Sequence, residues 1–338
     1  MAVSPVRVQK WDNVKFFLIF LVVLGHIADI YANVSPATGI MRFYIYTFHM
    51  PLFLFISGLF SKSNVSKKRW DKIFSYLILY LFIKIIDFFA KWAAAGRQPR
   101  FDLFSEASVP WYAFCLFAFS IITIIVSGVK PAYVLAVSVI LACAAGYDRN
   151  IGDFLCLSRI IVYFPFFYAG YITDREKLEN LLKSKRIKVL SLLILTAAGF
   201  VIATYYGDIK NIKFIFTGRN PYSVFVKNCP YAFVFRLICY AVSSIMGLAF
   251  MAVIPEKLPR FISKAGAATI QVYSLHFALK LLYFGLINNR FHIDSYFKSK
   301  LIIYELLVSV ILMIICALPF WKKPINLIMN IPVTKRRG

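Results

Sequence analysis

Long apolar runs separated by short polar joints dominate this chain. Runs long enough to cross a bilayer core of about 30 Å recur about ten times. They fall at approximately 14–32, 41–61, 73–92, 109–127, 131–147, 158–173, 187–205, 231–253, 265–285 and 301–320. The fifth and sixth are short. In lipid, each backbone polar group must be satisfied within its own segment, so spans of this kind are helices. The pattern predicts an all-α, polytopic membrane bundle that forms one domain over 1–338. The joints test the topology. Arg7 and Lys10 precede the first span; Lys62, Lys67, Lys68, Arg69 and Lys72 follow the second. Lys130, then Arg175 to Lys188, then Lys257, Arg260 and Lys264 follow the fourth, sixth and eighth. Lys322, Lys323, Lys335, Arg336 and Arg337 come last. With ten spans these all fall on one side, and the positive-inside rule places both termini in the cytoplasm. The segment 206–230 runs against the trend with Lys210, Lys213, Arg219 and Lys227. It reads as the largest non-cytoplasmic loop, either a substrate-contact surface or an ordinary long loop. No internal repeat and no inverted pair of broken helices appears, which weakens a secondary-transporter reading.

Composition agrees: 60% of the 338 residues are hydrophobic and 17% aromatic, with a mean hydropathy of +0.72. The net charge of +24 marks loops and lipid headgroup contacts in such a protein. No basic surface domain exists to bind nucleic acid. The six cysteines are scattered, mostly in apolar segments, and form no CxxC or metal-ligand cluster; they read as small buried hydrophobes. No cleavable leader is evident, because the first apolar segment is too long for one.

Two histidines stand inside the first two spans, His26 and His49. Ionisable side chains at lipid depth are costly and usually face a cavity, a partner or a reaction. At 1.5 Å per residue, His26 lies roughly 18 Å from the start of its span and His49 roughly 12 Å from the opposite end of its own. Both fall near the midplane, on helices joined by a short loop, so the rings are expected to face one another or one ligand. Lys15, Leu18, Val22, His26 and Asp29 share a helical face. Asp29 is placed to orient His26 and raise its basicity. On the second span His49, Phe53 and Ser57 form a stripe, and Ser57 with Gly58 allows either close helix packing or passage of a thin ligand.

Further polar groups sit at depth. Lys84, Asp87 and Lys91 share one face of the third span, where a Lys–Asp salt bridge is the plainest reading. Arg159, Arg236 and Glu305 lie near outer span ends and His276 near the middle of the ninth; each alone is able to snorkel or pair. Together they suggest one hydrated cavity. At the cytoplasmic side, KKRWDK (Lys67, Lys68, Arg69, Lys72) suits the phosphates of a nucleotide or coenzyme A. It suits anionic lipid equally well.

These residues resemble the membrane-bound acyltransferase-3 family, in particular its fucose 4-O-acetylase-like branch. WDNVKFFLIFLVVLGH resembles the family's opening motif through Asp12, Lys15 and His26, with Lys15 where most of the family has arginine. FHMPLFLFISGLF follows, with His49, Pro51, Ser57 and Gly58. Arg69-Trp70-Asp71-Lys72 resembles the basic RxxR element with Lys72 replacing the second arginine. Pro110-Trp111, FPFFYAGYI at 164–172 and KAGAATIQVYSLH ending at His276 fit in order. The resemblance implies transfer of an acyl group, usually acetyl, from acetyl-CoA as co-substrate, with no tightly bound cofactor or metal. The acceptor is a hydroxyl of a glycan or lipid-linked sugar. His26 would be the general base or acyl-relay residue and His49 its assistant. Lys15, Arg69 and Lys72 would hold the donor's phosphates, with Ser57 on the path of its arm. Lys84, Asp87, Trp111, Arg236 and His276 are the candidate acceptor contacts. The implied location is a bacterial plasma membrane. A transporter or flippase of lipid-linked glycans and a non-catalytic scaffold remain the alternatives, separable by whether label from acetyl-CoA enters a glycan.

Overall fold

A computed structural model describes residues 9–227 and 229–333, without the side chains of residues 260, 261 and 299. Arg7, Lys335, Arg336 and Arg337, used above to orient the chain, lie outside the described residues. The described chain is mainly helical: α1 (Gln9–Tyr31), α2 (Pro36–Tyr46), α3 (His49–Ser66), α4 (Trp70–Ala95), α5 (Trp111–Ile125), α6 (Pro131–Ala145), α7 (Leu157–Ile172), α8 (Arg175–Lys183), α9 (Lys185–Ile209), α10 (Lys213–Phe216), α11 (Phe233–Val253), α12 (Arg260–Ala267), α13 (Thr269–Leu282), α14 (Asn289–Phe291), α15 (Leu301–Ala317) and α16 (Lys322–Met329). Among the described residues no strand occurs, only an isolated bridge between Ser105 and Phe154.

Among the described residues seven helical stretches are long and apolar enough to cross a membrane. An eighth exists if α15 and the bent segment Pro319–Met329 form one span, with a 48° bend between them. α6 and α7 are apolar but shorter, as their sequence runs are. α9 and α10 together with the short turn between them form one apolar stretch, Lys185–Phe216. The expected loop over 206–230 is therefore largely helical in its first half. α8 was not expected as a helix. Asp174 caps it, its side chain accepting from the Lys177 amide, which is the usual way a short aspartate supplies an acceptor to an orphan helix-end donor.

α1 occupies the centre. It packs against α12, α13, α15 and α2, with Trp11, Val14, Leu18, Ile19, Val23 and Ile27 at or below 2% exposure. α9 lies at the rim, where Val189, Leu192, Leu193 and Phe200 are more than half exposed. Such an outer apolar face suits lipid, because water alone would not tolerate a patch this large.

The second span is broken beside His49. Pro51 has no N–H to give to the Thr47 carbonyl one turn back. The Ser243 hydroxyl donates to that carbonyl instead, at 2.5 Å. The Ile45 carbonyl, loosened by the same break, accepts from His49 Nδ1 at 2.8 Å. Below the break, α3 crosses α7 with backbones nearly in contact. A Cβ on Gly58 would overlap the Phe167 carbonyl oxygen, and one on Gly170 would overlap that of Phe55. This is the close approach that small residues permit between membrane helices.

Candidate active site

One cavity of about 310 Å³ runs along α1 and is lined by Asp12, Lys15, Ile19, Val22 and His26 of that helix. Steps of three and four residues keep these side chains on one face, and fourteen residues at 1.5 Å each make a path roughly 21 Å long. Antiparallel α3 supplies Met50, Phe53, Ser57 and Phe60 to the same wall; α5 and α13 close it with Trp111, Tyr112 and Tyr273.

At the Lys15 end, the Lys15 ammonium lies 4.4 Å from the Phe60 ring centroid and the Arg175 guanidinium 5.2 Å from it. Two cations thus share one ring that faces the cavity. α8 is fastened here because Glu179 Oε1 accepts from Trp11 Nε1 at 2.5 Å and from Arg175 Nε at 2.7 Å. Burial pushes the Glu179 carboxyl up, but the indole and guanidinium hydrogen bonds outweigh it and hold it below the usual range. Midway, Ser57 Oγ donates to the Phe53 carbonyl at 2.9 Å, so in the 2.6 Å contact with Tyr112 the tyrosine hydroxyl is the donor. Tyr273 Oη accepts from the Ala113 amide and donates to the Val109 carbonyl, fixing the start of α5 to α13.

At the His26 end, Nδ1 faces Asp29 Oδ2 at 3.6 Å. That leaves Nε2 as the ring nitrogen free for chemistry. Asp29 is itself positioned: Tyr46 Oη donates to it at 2.7 Å and Arg42 Nη1 at 3.2 Å. The His26 side chain is 26% exposed and Asp29 36%, so an incoming molecule reaches them. His49 and His276, at 7% and 1% exposure, are sealed.

The structure sorts the sequence candidates by place. Lys15, His26, Ser57 and Trp111 line the cavity, and Asp29 adjoins His26. The ring that packs on His26 comes from α13: His276 lies 5.4 Å away and Phe277 5.5 Å away, edge-on. His276 Nδ1 is turned to the Val272 and Tyr273 carbonyls, which leaves Nε2 buried without a partner. His49 does not line the cavity. It stacks on Tyr46 at 5.1 Å and so reaches Asp29 through that tyrosine. The expected face-to-face His26–His49 contact is replaced because the break before α3 turns His49 toward the α2 backbone. The expected Lys84–Asp87 bridge also gives way. Lys84 Nζ pairs with Glu106 at 3.1 Å and donates to the Ser105 carbonyl, because the loop before α5 brings a buried carboxylate directly to it. Both Asp87 oxygens are buried without a hydrogen bond. Arg236 lies outside the cavity, donating to the Ile215 carbonyl at 2.5 Å between α11 and α10. Arg69 and Lys72 are outside it too. They contact Asn64 and Asn330 on the exposed surface at the Lys15 end.

Sequence reasoning passed over Arg42, Phe60, Tyr112 and Arg175. A signal existed for one of them, since Arg42 is the single charge in the apolar run 41–61. The others depend on helix-to-helix placement.

A model of a known protein family, described as an acyltransferase domain, matches residues 8–322. No curated protein and no solved structure matches the chain.

Proposed function

The chain belongs to acyltransferase family 3, and we propose that this membrane acyltransferase moves an acetyl group from acetyl-CoA to a hydroxyl of a glycan or lipid-linked sugar. The observation that carries the reading is the single cavity wall on α1, with a cation at one end and a carboxylate-backed histidine at the other. A donor whose phosphates rest on Lys15 and Arg175 presents a narrow arm to a channel of matching shape. Ser57 and Tyr112 offer polar atoms along an otherwise apolar path. Arg69 and Lys72 extend the basic surface at the same end of the bundle. Lys15 in place of the wider family's arginine favours the fucose 4-O-acetylase-like branch.

A sugar hydroxyl ionises far above neutral pH, so its attack on a thioester needs a base in the transition state. In the proposed step His26 Nε2 takes the hydroxyl proton as the oxygen bonds to the thioester carbon. The C–S bond then breaks, and the imidazolium returns the proton to the departing thiolate. Asp29 stabilises the imidazolium, and Tyr46, Arg42 and the His276 ring keep the pair in place. His49 assists by holding Tyr46. The reading includes ten spans, both termini in the cytoplasm, and a bacterial plasma membrane, with the donor entering from the cytoplasm and the acceptor meeting His26 from the opposite side.

The test is transfer of label from [1-14C]acetyl-CoA into glycan by membranes holding the protein. His26→Ala, shown by gel filtration to fold, is expected to lose about 10²–10⁴-fold in rate. A folded His26→Ala protein that transfers label at the wild-type rate overturns the reading.

A further inference from the structure

The far end of the site is more positive than the acyl-transfer step requires. Arg42 is 7% exposed, and while Nη1 reaches Asp29, its Nε and Nη2 are buried with no hydrogen-bond partner. A guanidinium left so in an apolar setting is costly unless something completes it. Lys213 stands on α10, which packs against α2, and its ammonium adds positive charge to the neighbourhood of Arg42 and Asp29, as does that of Lys280 on α13 to Asp29. The charge of Lys280 is offset by a second carboxylate, Asp87. Among the described residues Asp29 is the one carboxylate that offsets both Arg42 and Lys213, and it is already hydrogen-bonded to Tyr46 and turned to His26. Elsewhere in the segment 206–230 the cation Arg219 is neutralised, paired with Asp153. Among the described residues Lys213 makes no ion pair of that kind, and it belongs to the one basic stretch that ran against the charge rule for topology.

We propose that Arg42 and Lys213 form an anion site beside His26, and that the acceptor is an acidic glycan whose carboxylate or phosphate docks there. The inference rests on the acyl-transfer reading. The Arg42–Asp29 pair is open to the outside at Asp29, whose side chain is 36% exposed. A charge-assisted pair with Arg42 completes the orphaned guanidinium, and holding the acid group on one side of His26 fixes which hydroxyl approaches Nε2.

The experiment uses the full-length protein in membranes, [1-14C]acetyl-CoA, and an envelope glycan extract of the cells that make the protein as acceptor. The labelled product is run on an anion exchanger. Retention is expected. Reduction of carboxyl groups releases the product if the anion is a carboxylate, and mild acid releases it if the anion is a phosphodiester or pyrophosphate. Lys213→Gln is expected to cut transfer about 10-fold at limiting extract, recovering as extract is raised, while the KM for acetyl-CoA stays fixed; Arg42→Gln is expected to raise the extract requirement likewise and to lower the maximal rate as well, because Arg42 also holds Asp29. Arg42→Lys is expected to recover part of the loss. Lys213 makes no hydrogen bond to the His26–Asp29 pair, so its variant separates acceptor binding from damage to the base. Label that elutes with neutral glycans overturns the inference but leaves acyl transfer standing. So do Lys213→Gln and Arg42→Gln proteins that match wild type at every extract level. No label in any glycan with the wild-type protein overturns the acyl-transfer reading, and this inference with it.

Discussion

Replacing Asp29 with asparagine removes one negative charge beside the proposed base while keeping the side chain's shape. Asp29 Oδ2 lies 3.6 Å from His26 Nδ1 and is held from behind by Tyr46 and Arg42. A neutral imidazole gains little from this neighbour, but the ring becomes a cation as it takes the acceptor's proton. At that separation an effective dielectric of about 20 gives roughly 4–5 kcal/mol between the two charges. His26 and Asp29 are 26% and 36% exposed, and solvent screening lowers the figure to about 1–2 kcal/mol. That is roughly a 5- to 30-fold loss of kcat. The assay is the initial rate of [1-14C]acetyl transfer at saturating donor and glycan. A double variant sharpens it, because groups acting as one unit are not additive. Once His26 is alanine no imidazolium forms, so Asp29→Asn in that background is expected to cost nothing more. If Asp29→Asn alone keeps the full rate, Asp29 does not support the base. If it slows the His26→Ala background by the same factor, Asp29 acts without His26, and the pairing argument fails.

What the sequence made legible follows a physical line. Lys15, His26 and Asp29 ride on one helix, and helical spacing is local information, so their shared face needed no tertiary knowledge. The apolar runs located the helices for the same reason. Which ring packs on His26 depends on how α13 and α3 are turned about their axes. Pro51 turned α3 through a carbonyl that Ser243, far along the chain, had to satisfy. The choice of His276 over His49 was therefore hidden. Lys84 and Asp87 did share a helix face, yet Glu106 lay closer once the loop folded back. The helix α8 was written in its Asp174 cap and amphipathic LENLL, but the density of charge made it read as a loop. The basic RxxR-like element was visible, whereas its distance from the cavity was not.

Three further outcomes follow from the geometry. Lys15→Gln and Arg175→Gln, at the ring they share, are each expected to raise the KM for acetyl-CoA about 5- to 10-fold with kcat near wild type; steady-state kinetics with varied donor reads this, and an unchanged KM with a fallen kcat contradicts it. Glu179 has its carboxyl held below the usual range, so its fastening of α8 is present above the unfolded value of about 4.3 and is lost as pH falls through the folded one. Hydrogen exchange of α8, relative to its intrinsic rate, is then expected to rise as pH falls below the unfolded carboxylate value, and Glu179→Gln is expected to show the same rise at neutral pH; equal protection in both proteins at both pH values removes Glu179 from that role. The last outcome concerns the crossing of α3 and α7. A methyl on Gly58 meets the Phe167 carbonyl, and one on Gly170 meets that of Phe55. Backbone cannot yield as a side-chain tip does, so each Gly→Ala change must push the helices apart, at about 1–3 kcal/mol. After one change has parted them, the second methyl enters space already opened. The double variant is therefore expected to unfold with a cost below the sum of the singles, by about 1 kcal/mol or more, measured by thermal unfolding in detergent. Strict additivity would mean that the two contacts yield separately and that the helices do not share one point of closest approach.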